Sequence, residues 1–190
     1  MKLEVIDNFL SPTYFEYLNE HIVQSPRFEW SYLNNVTSTA DEGDDWSFGY
    51  THVLIETPTG RPLSPHFPAF IGALCDIQEA TGLDKCTRAR LDMTTKSPKP
   101  FEHQVHIDTA RQNYSCILYM NDSDGDTIMY EETTKDPSAP IPEKLTERER
   151  IQPVANRLVI FDGYILHTGM SPIKNKRRIL LNTNFMANDQ

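Results

Sequence analysis

The sequence predicts an α+β chain that is mainly β: a β-sandwich or jelly-roll core with helices flanking it on the N-terminal side. Three observations predict this. Helical spacing is confined to two segments before Gly82. After Gly82, short strand-like runs follow one another with turn residues between them. The 190 residues, 38% hydrophobic and 24% charged, suffice for one substantial core, so residues 1–190 read as a single domain.

KLEVIDNFL opens the chain as a short strand. Ser11-Pro12 then offers an N-cap followed by proline at the first helical position. Phe15, Leu18 and Ile22 recur at helical spacing, which predicts a helix from Pro12 to Val23. Phe28 to Leu33 reads as a strand. Asn34 to Asp45 is polar and carries Asp41, Glu42, Asp44 and Asp45, the pattern of a surface loop. Phe48 to Ile55 is a further strand. Pro68 to Ala80, with Phe70, Ile71, Leu74 and Ile77 on one face, is a second helix that Gly82 terminates. Strands are then expected at Thr87–Thr94, Gln104–Asp108, Tyr114–Met120, Thr127–Glu131, Arg157–Phe161 and Arg178–Phe185. Glu132 to Gln152, rich in proline and charge, is expected as a surface excursion.

Composition excludes several classes. No apolar run approaches the roughly 20 residues that cross a bilayer. MKLEVIDNFL lacks the basic and long apolar regions of a signal peptide, so the chain reads as cytoplasmic. Cys75, Cys86 and Cys116 are an odd number without CxxC spacing, which argues against disulfides and zinc–thiolate sites. A net charge of −9 disfavours a nucleic-acid partner, although Lys174, Lys176, Arg177 and Arg178 form a local basic cluster.

The chemistry concentrates at His106-Ile107-Asp108. On a strand, residues two apart share a face, so imidazole and carboxylate converge on one point while Ile107 turns to the core. His167, after the apolar run and Gly163 turn, supplies a third ligand. Two histidines and one carboxylate leave metal positions open, as in non-haem Fe(II) oxygenases. His103, three residues before His106, is expected on the opposite face. His21, His52 and His66 read as surface or packing residues.

HIDTARQNYSCILYMND, NRLVIFDGYILHTGMSP and KRRILLNTNF, in that order, resemble the Fe(II)/2-oxoglutarate dioxygenases of the prolyl-4-hydroxylase-like group. FEWSYLN, FGYTHVL and TRARLDM are similar to small members from cyanobacterial viruses, which would place the protein in a host cytoplasm. The resemblance implies a double-stranded β-helix, a jelly-roll variant, with His106, Asp108 and His167 as catalytic iron ligands. It implies 2-oxoglutarate as co-substrate, with ascorbate a further candidate, and hydroxylation of a peptide or small-molecule substrate with release of succinate and CO2. A prolyl residue is the family-weighted substrate.

In relatives a basic residue about eleven positions after the distal histidine, and six after a proline, anchors the co-substrate. Here that position is Arg178, whose planar fork matches a carboxylate. Tyr119 matches a tyrosine that bonds the same carboxylate; a core aromatic is the competing reading. Asn182 shares strand parity with Arg178, which leaves pocket, packing and surface readings open. Asp124-Gly125-Asp126-Thr127 departs from the Gly-Gly-x-Thr turn of relatives. Arg88, Arg90 and Asp92 either reach substrate or pair with each other. The loop Asn34–Asp45 and the excursion Glu132–Gln152 are both candidates for a lid. The intact Asp108 favours hydroxylation over halogenation, whose enzymes lack this carboxylate. The rival reading is a cupin-like metalloprotein of non-oxidative or binding function, which would not need Arg178.

Overall fold

The computed structural model describes residues 2–37, 46–57 and 59–186. The acidic stretch Asp41–Asp45, expected as part of a surface loop or lid, lies outside them. The elements in order are β1 (Leu3–Ile6), α1 (Pro12–Glu16), β2 (Ser31–Leu33), β3 (Gly49–Glu56), β4 (Arg61–Pro62), α2 (Phe67–Thr81), β5 (Lys85–Thr95) and β6 (Phe101–Glu102). They continue with β7 (Tyr114–Tyr119), β8 (Thr127–Thr133), β9 (Glu147–Ile151), β10 (Leu158–Asp162), β11 (Ile165–Ser171) and β12 (Arg177–Met186).

Two antiparallel sheets carry the fold. The major sheet runs β1-β10-β7-β12-β5-β3-β2, with β4 on β3; the minor sheet runs β6-β11-β8-β9. This is the predicted jelly roll. Strand alternation sorts the core into layers. Cys116 and Leu118 on β7, Leu158 and Ile160 on β10, and Ile179, Leu181 and Phe185 on β12 pack with Leu18, Phe70, Leu74 and Ile77. The alternate residues Ile117, Tyr119, Val159, Phe161 and Leu180 pack instead with Met129 and Ile165 of the minor sheet. On the side of this second layer, polar groups of β5 and β12 line a cleft.

Four local details differ from the sequence expectations. The first helix reaches Val23, but Tyr17–Val23 is a π-helix. Its buried residues are Leu18 and Val23, five apart, which matches i→i+5 winding better than an α stripe. Ser11 makes no side-chain cap. Gln104–Asp108 is not a ladder strand: apart from the short β6, its region pairs only through one antiparallel bridge, His106 to His167. The excursion 132–152 is structured, because β9 pairs with β8 and Ile141 and Leu145 pack near Ile107, Ile128 and Leu166. That cluster lies behind the face on which His106 and Asp108 converge.

Gly82 ends α2 as expected, at φ +68° with its N–H on the Gln78 carbonyl at 3.0 Å. No helix among the described residues is long and apolar enough to cross a membrane.

Candidate metal centre

β11 brings His167 beside the extended segment of His106. The two residues exchange both backbone hydrogen bonds, each at 3.0 Å, which fixes their side chains against each other. Ile107 is buried, so its neighbours His106 and Asp108 turn together toward His167. One ligand atom from each of His106, Asp108 and His167 lies within 4.8 Å of the others. Convergence therefore survives without a full strand, because one bridge suffices to keep the chain extended.

Both imidazoles have a defined orientation. His106 Nδ1 lies 2.9 Å from the Gln104 carbonyl and His167 Nδ1 3.0 Å from the Ile165 carbonyl. A carbonyl only accepts, so each Nδ1 donates and each Nε2 keeps its lone pair for a metal. Burial, then the neighbouring His167, pushes the His106 pKa down to about 4, which keeps the ring neutral as a ligand must be. Burial would raise the Asp108 carboxyl. The Arg88 guanidinium and the adjacent imidazoles overcome this and hold it well below the usual carboxylate range.

Asp108 is gripped on both oxygens. Oδ2 accepts from Ser115 Oγ and Asn184 Nδ2, each at 3.0 Å. Oδ1, the atom 4.0 Å from His106 Nε2, lies 3.0 Å from Arg88 Nη1. Arg88 also donates to Asn184 Oδ1 at 2.9 Å. Arg88 thus pairs outside the expected set, with Asp108 rather than with Asp92. Arg90 pairs with Asp92 at 2.7 Å.

A cleft of about 590 Å³, open mouth included, joins His106 and His167 to Arg178. β12 buries Arg178 on its inner face and leaves Arg177 exposed. Arg178 Nη2 donates to Thr127 Oγ1 at 2.6 Å, and that oxygen lies 2.6 Å from the Tyr119 hydroxyl. The guanidinium sits 5.6 Å from the Tyr119 ring centre. Gly169 makes room for it, since a Cβ there would lie 3.1 Å from Nη1. Tyr119 is thus fully buried behind Thr127, while Thr127 and Asn182 line the cleft.

Four buried side-chain atoms among the described residues have no partner: Thr94 Oγ1, His103 Nδ1, Arg178 Nε and Asn182 Oδ1. All four residues line this one cleft. Buried polar atoms are normally bonded, so their concentration here points to a polar ligand. His103 corrects the expectation of an opposite face. It lies outside the ligand cluster, yet it lines the cleft, buried, with Nε2 3.0 Å from Ser171 Oγ. The segment is not a strand there, so parity does not govern it. Spacing missed Thr94 and Thr127, whereas alternation from Arg178 reaches Asn184, which bonds to Asp108.

The donor set fits an Fe(II) ion: two imidazoles with Nε2 turned inward, one carboxylate and an adjoining open cleft. Residues 93–186 match the model of the 2OG-Fe(II) oxygenase superfamily. That superfamily implies Fe(II) and 2-oxoglutarate. No curated protein matches the sequence. Among solved structures, a Pseudomonas putida prolyl-4-hydroxylase is 16% identical, with 98% of this chain and 93% of that one covered and a TM-score of 0.58. A prolyl hydroxylase from Trichoplax adhaerens, in complex with a hypoxia inducible factor peptide fragment, is 14% identical over 99% and 87%, with a TM-score of 0.62. The epimerase SnoN from nogalamycin biosynthesis, solved with Fe3+, alpha ketoglutarate and nogalamycin RO, is 9% identical over 97% and 78%, with a TM-score of 0.62. At these identities the likeness is one of fold.

Proposed function

We propose, from a chain whose residues 93–186 carry a 2OG-Fe(II) oxygenase domain, that the protein hydroxylates its substrate at the expense of 2-oxoglutarate and O2. The observation that carries this is the cleft between the His–Asp–His cluster and Arg178, with all four orphaned polar atoms on its wall. His106 and His167 would hold the iron through Nε2, and Asp108 would hold it through its carboxylate. The bound metal, with 2-oxoglutarate and O2, supplies the oxidising power that turns a substrate C–H into C–OH while 2-oxoglutarate loses CO2 and becomes succinate.

The chain's own groups position the co-substrate. Arg178 offers a preformed cation at the far end of the cleft, and its unpartnered Nε adds a donor for the distal carboxylate. Thr127 supports that end and Tyr119 orients Thr127 from behind. Asn182 and Arg90, paired in register across β12 and β5, flank the space between anchor and metal. The polar inner face of β12 thus serves the co-substrate while its opposite face closes the core.

The prolyl hydroxylases among the fold's neighbours support a prolyl residue as the hydroxylated group. Host peptides and metabolites incubated with protein, Fe(II), ascorbate and 2-oxoglutarate are expected to yield a product heavier by one oxygen. A product altered without that gain would contradict hydroxylation.

A further inference from the structure

The metal cluster has a second approach, separate from the Arg178 cleft. A pocket of about 550 Å³, open mouth included, reaches Asp108 from the side of Arg88 and Asn184. Neither Asp108 nor Arg88 lines the Arg178 cleft, and neither His106 nor His167 lines this pocket. The two spaces therefore meet the ligand cluster from different sides. The first is accounted for by the co-substrate. The second borders the same cluster at Asp108.

Its wall is cationic. Lys85, Arg88 and Arg111 line it, with the hydroxyl-bearing Thr57, Thr87 and Thr109. The single carboxylate among the described residues of the wall, Asp108, is already paired with Arg88 at 3.0 Å. Lys85 and Arg111 are exposed, and neither has an ion-pair partner among the described residues. In a chain of net charge −9, three cations around one hollow set a local field opposite to that of the molecule as a whole. A neutral or basic substrate gains nothing from that arrangement, whereas an anion meets two cations without an ion-pair partner among the described residues and the Thr109 hydroxyl, the Thr57 and Thr87 hydroxyls donating to the Thr87 and Asn184 carbonyls.

We propose that this second pocket receives an anionic group of the primary substrate, a carboxylate or a phosphate, held by Lys85 and Arg111. The inference rests on the oxygenase reading for the word substrate, but the binding itself does not. Arg88 is a positioning residue, because its guanidinium is engaged by Asp108 and Asn184.

The test uses the full chain, anaerobic, with one equivalent of Fe(II) and saturating 2-oxoglutarate. Inorganic phosphate and, separately, acetate are titrated into the wild type and into a Lys85→Gln/Arg111→Gln variant. Fe(II) and 2-oxoglutarate affinities are measured first on both proteins and are expected to be equal. The proposal predicts saturable binding of at least one of the two anions, weakened at least tenfold in the variant. Phosphate without acetate would identify the group as a phosphate, and acetate without phosphate as a carboxylate. Equal anion affinity in the two proteins, or no saturable binding to the wild type, would overturn the proposal. Failure of the oxygenase reading registers separately, as a wild type that takes up no 2-oxoglutarate in the first measurement.

Discussion

Arg88 Nη1 stands 3.0 Å from Asp108 Oδ1, the carboxylate oxygen that also faces His106. A half-buried arginine thus neutralises the only anionic member of the ligand cluster. Removing one partner of such a pair strands the other in a low-dielectric site, a cost of about 3–5 kcal/mol. Asp108→Ala should lose Fe(II) binding and also unfold at markedly lower urea concentration. Asp108→Asn should lose the metal with a smaller loss of stability, since an amide still bonds to Ser115. Equal stability of Asp108→Ala and the wild type would show that the pair is not formed.

Arg178 and Arg177 should separate sharply. Arg178 is buried in the cleft and Arg177 is exposed. A hydrogen bond to a charged partner contributes about 1.5–3 kcal/mol. Arg178→Ala should therefore weaken 2-oxoglutarate by roughly ten- to hundredfold or more, and Arg177→Ala by less than threefold, as calorimetry would read. A defective Arg177 variant beside a normal Arg178 variant would place the anchor elsewhere.

Tyr119 acts at one remove. Its hydroxyl bonds to Thr127, which in turn accepts from Arg178. Tyr119→Phe should cost about 1 kcal/mol of stability and raise the 2-oxoglutarate requirement by less than Arg178→Ala does. A loss as large as that of Arg178→Ala would mean that Tyr119 meets the co-substrate directly.

His103 predicts a pH dependence. Burial, with Arg178 nearby, pushes its pKa down to about 4 from the ordinary 6.5. The unfolded chain then takes up a proton at higher pH than the folded one. Stability from this group is complete above pH 6.5 and is lost as pH falls from there toward 4, by up to about 3 kcal/mol. Urea unfolding at pH 7 and pH 4.5 should show a smaller difference in His103→Gln than in the wild type. Fe(II) affinity at pH 7 should not change in that variant, because His103 lies outside the ligand cluster.

Much of this was legible in the sequence because alternation is a strong signal. Ile179, Leu181 and Phe185 are apolar where β12 meets the helices, and Asn182 and Asn184 are polar where it meets the site. The spacing of His106, Ile107 and Asp108 predicted convergence correctly, although the segment is held by one bridge rather than a ladder. That difference hid His103: outside a ladder, odd and even residues need not face opposite ways. β11 went unread because Ile165 to Ser171 mixes buried apolar, small and functional residues over an irregular register beside β8. The role of Arg88 depends on Asp108, twenty residues downstream, and no local pattern encodes such a pair. The π-helix was missed because Phe15, Leu18 and Ile22 satisfy ordinary helical spacing, while the buried pair Leu18 and Val23 does not.

The central claim is tested most directly by incubating the purified protein with Fe(II), ascorbate and 2-oxoglutarate under air and quantifying succinate. The account predicts iron-dependent succinate formation that disappears in Asp108→Ala. Protein that binds both Fe(II) and 2-oxoglutarate yet forms no succinate, with any peptide or metabolite extract added, would contradict it.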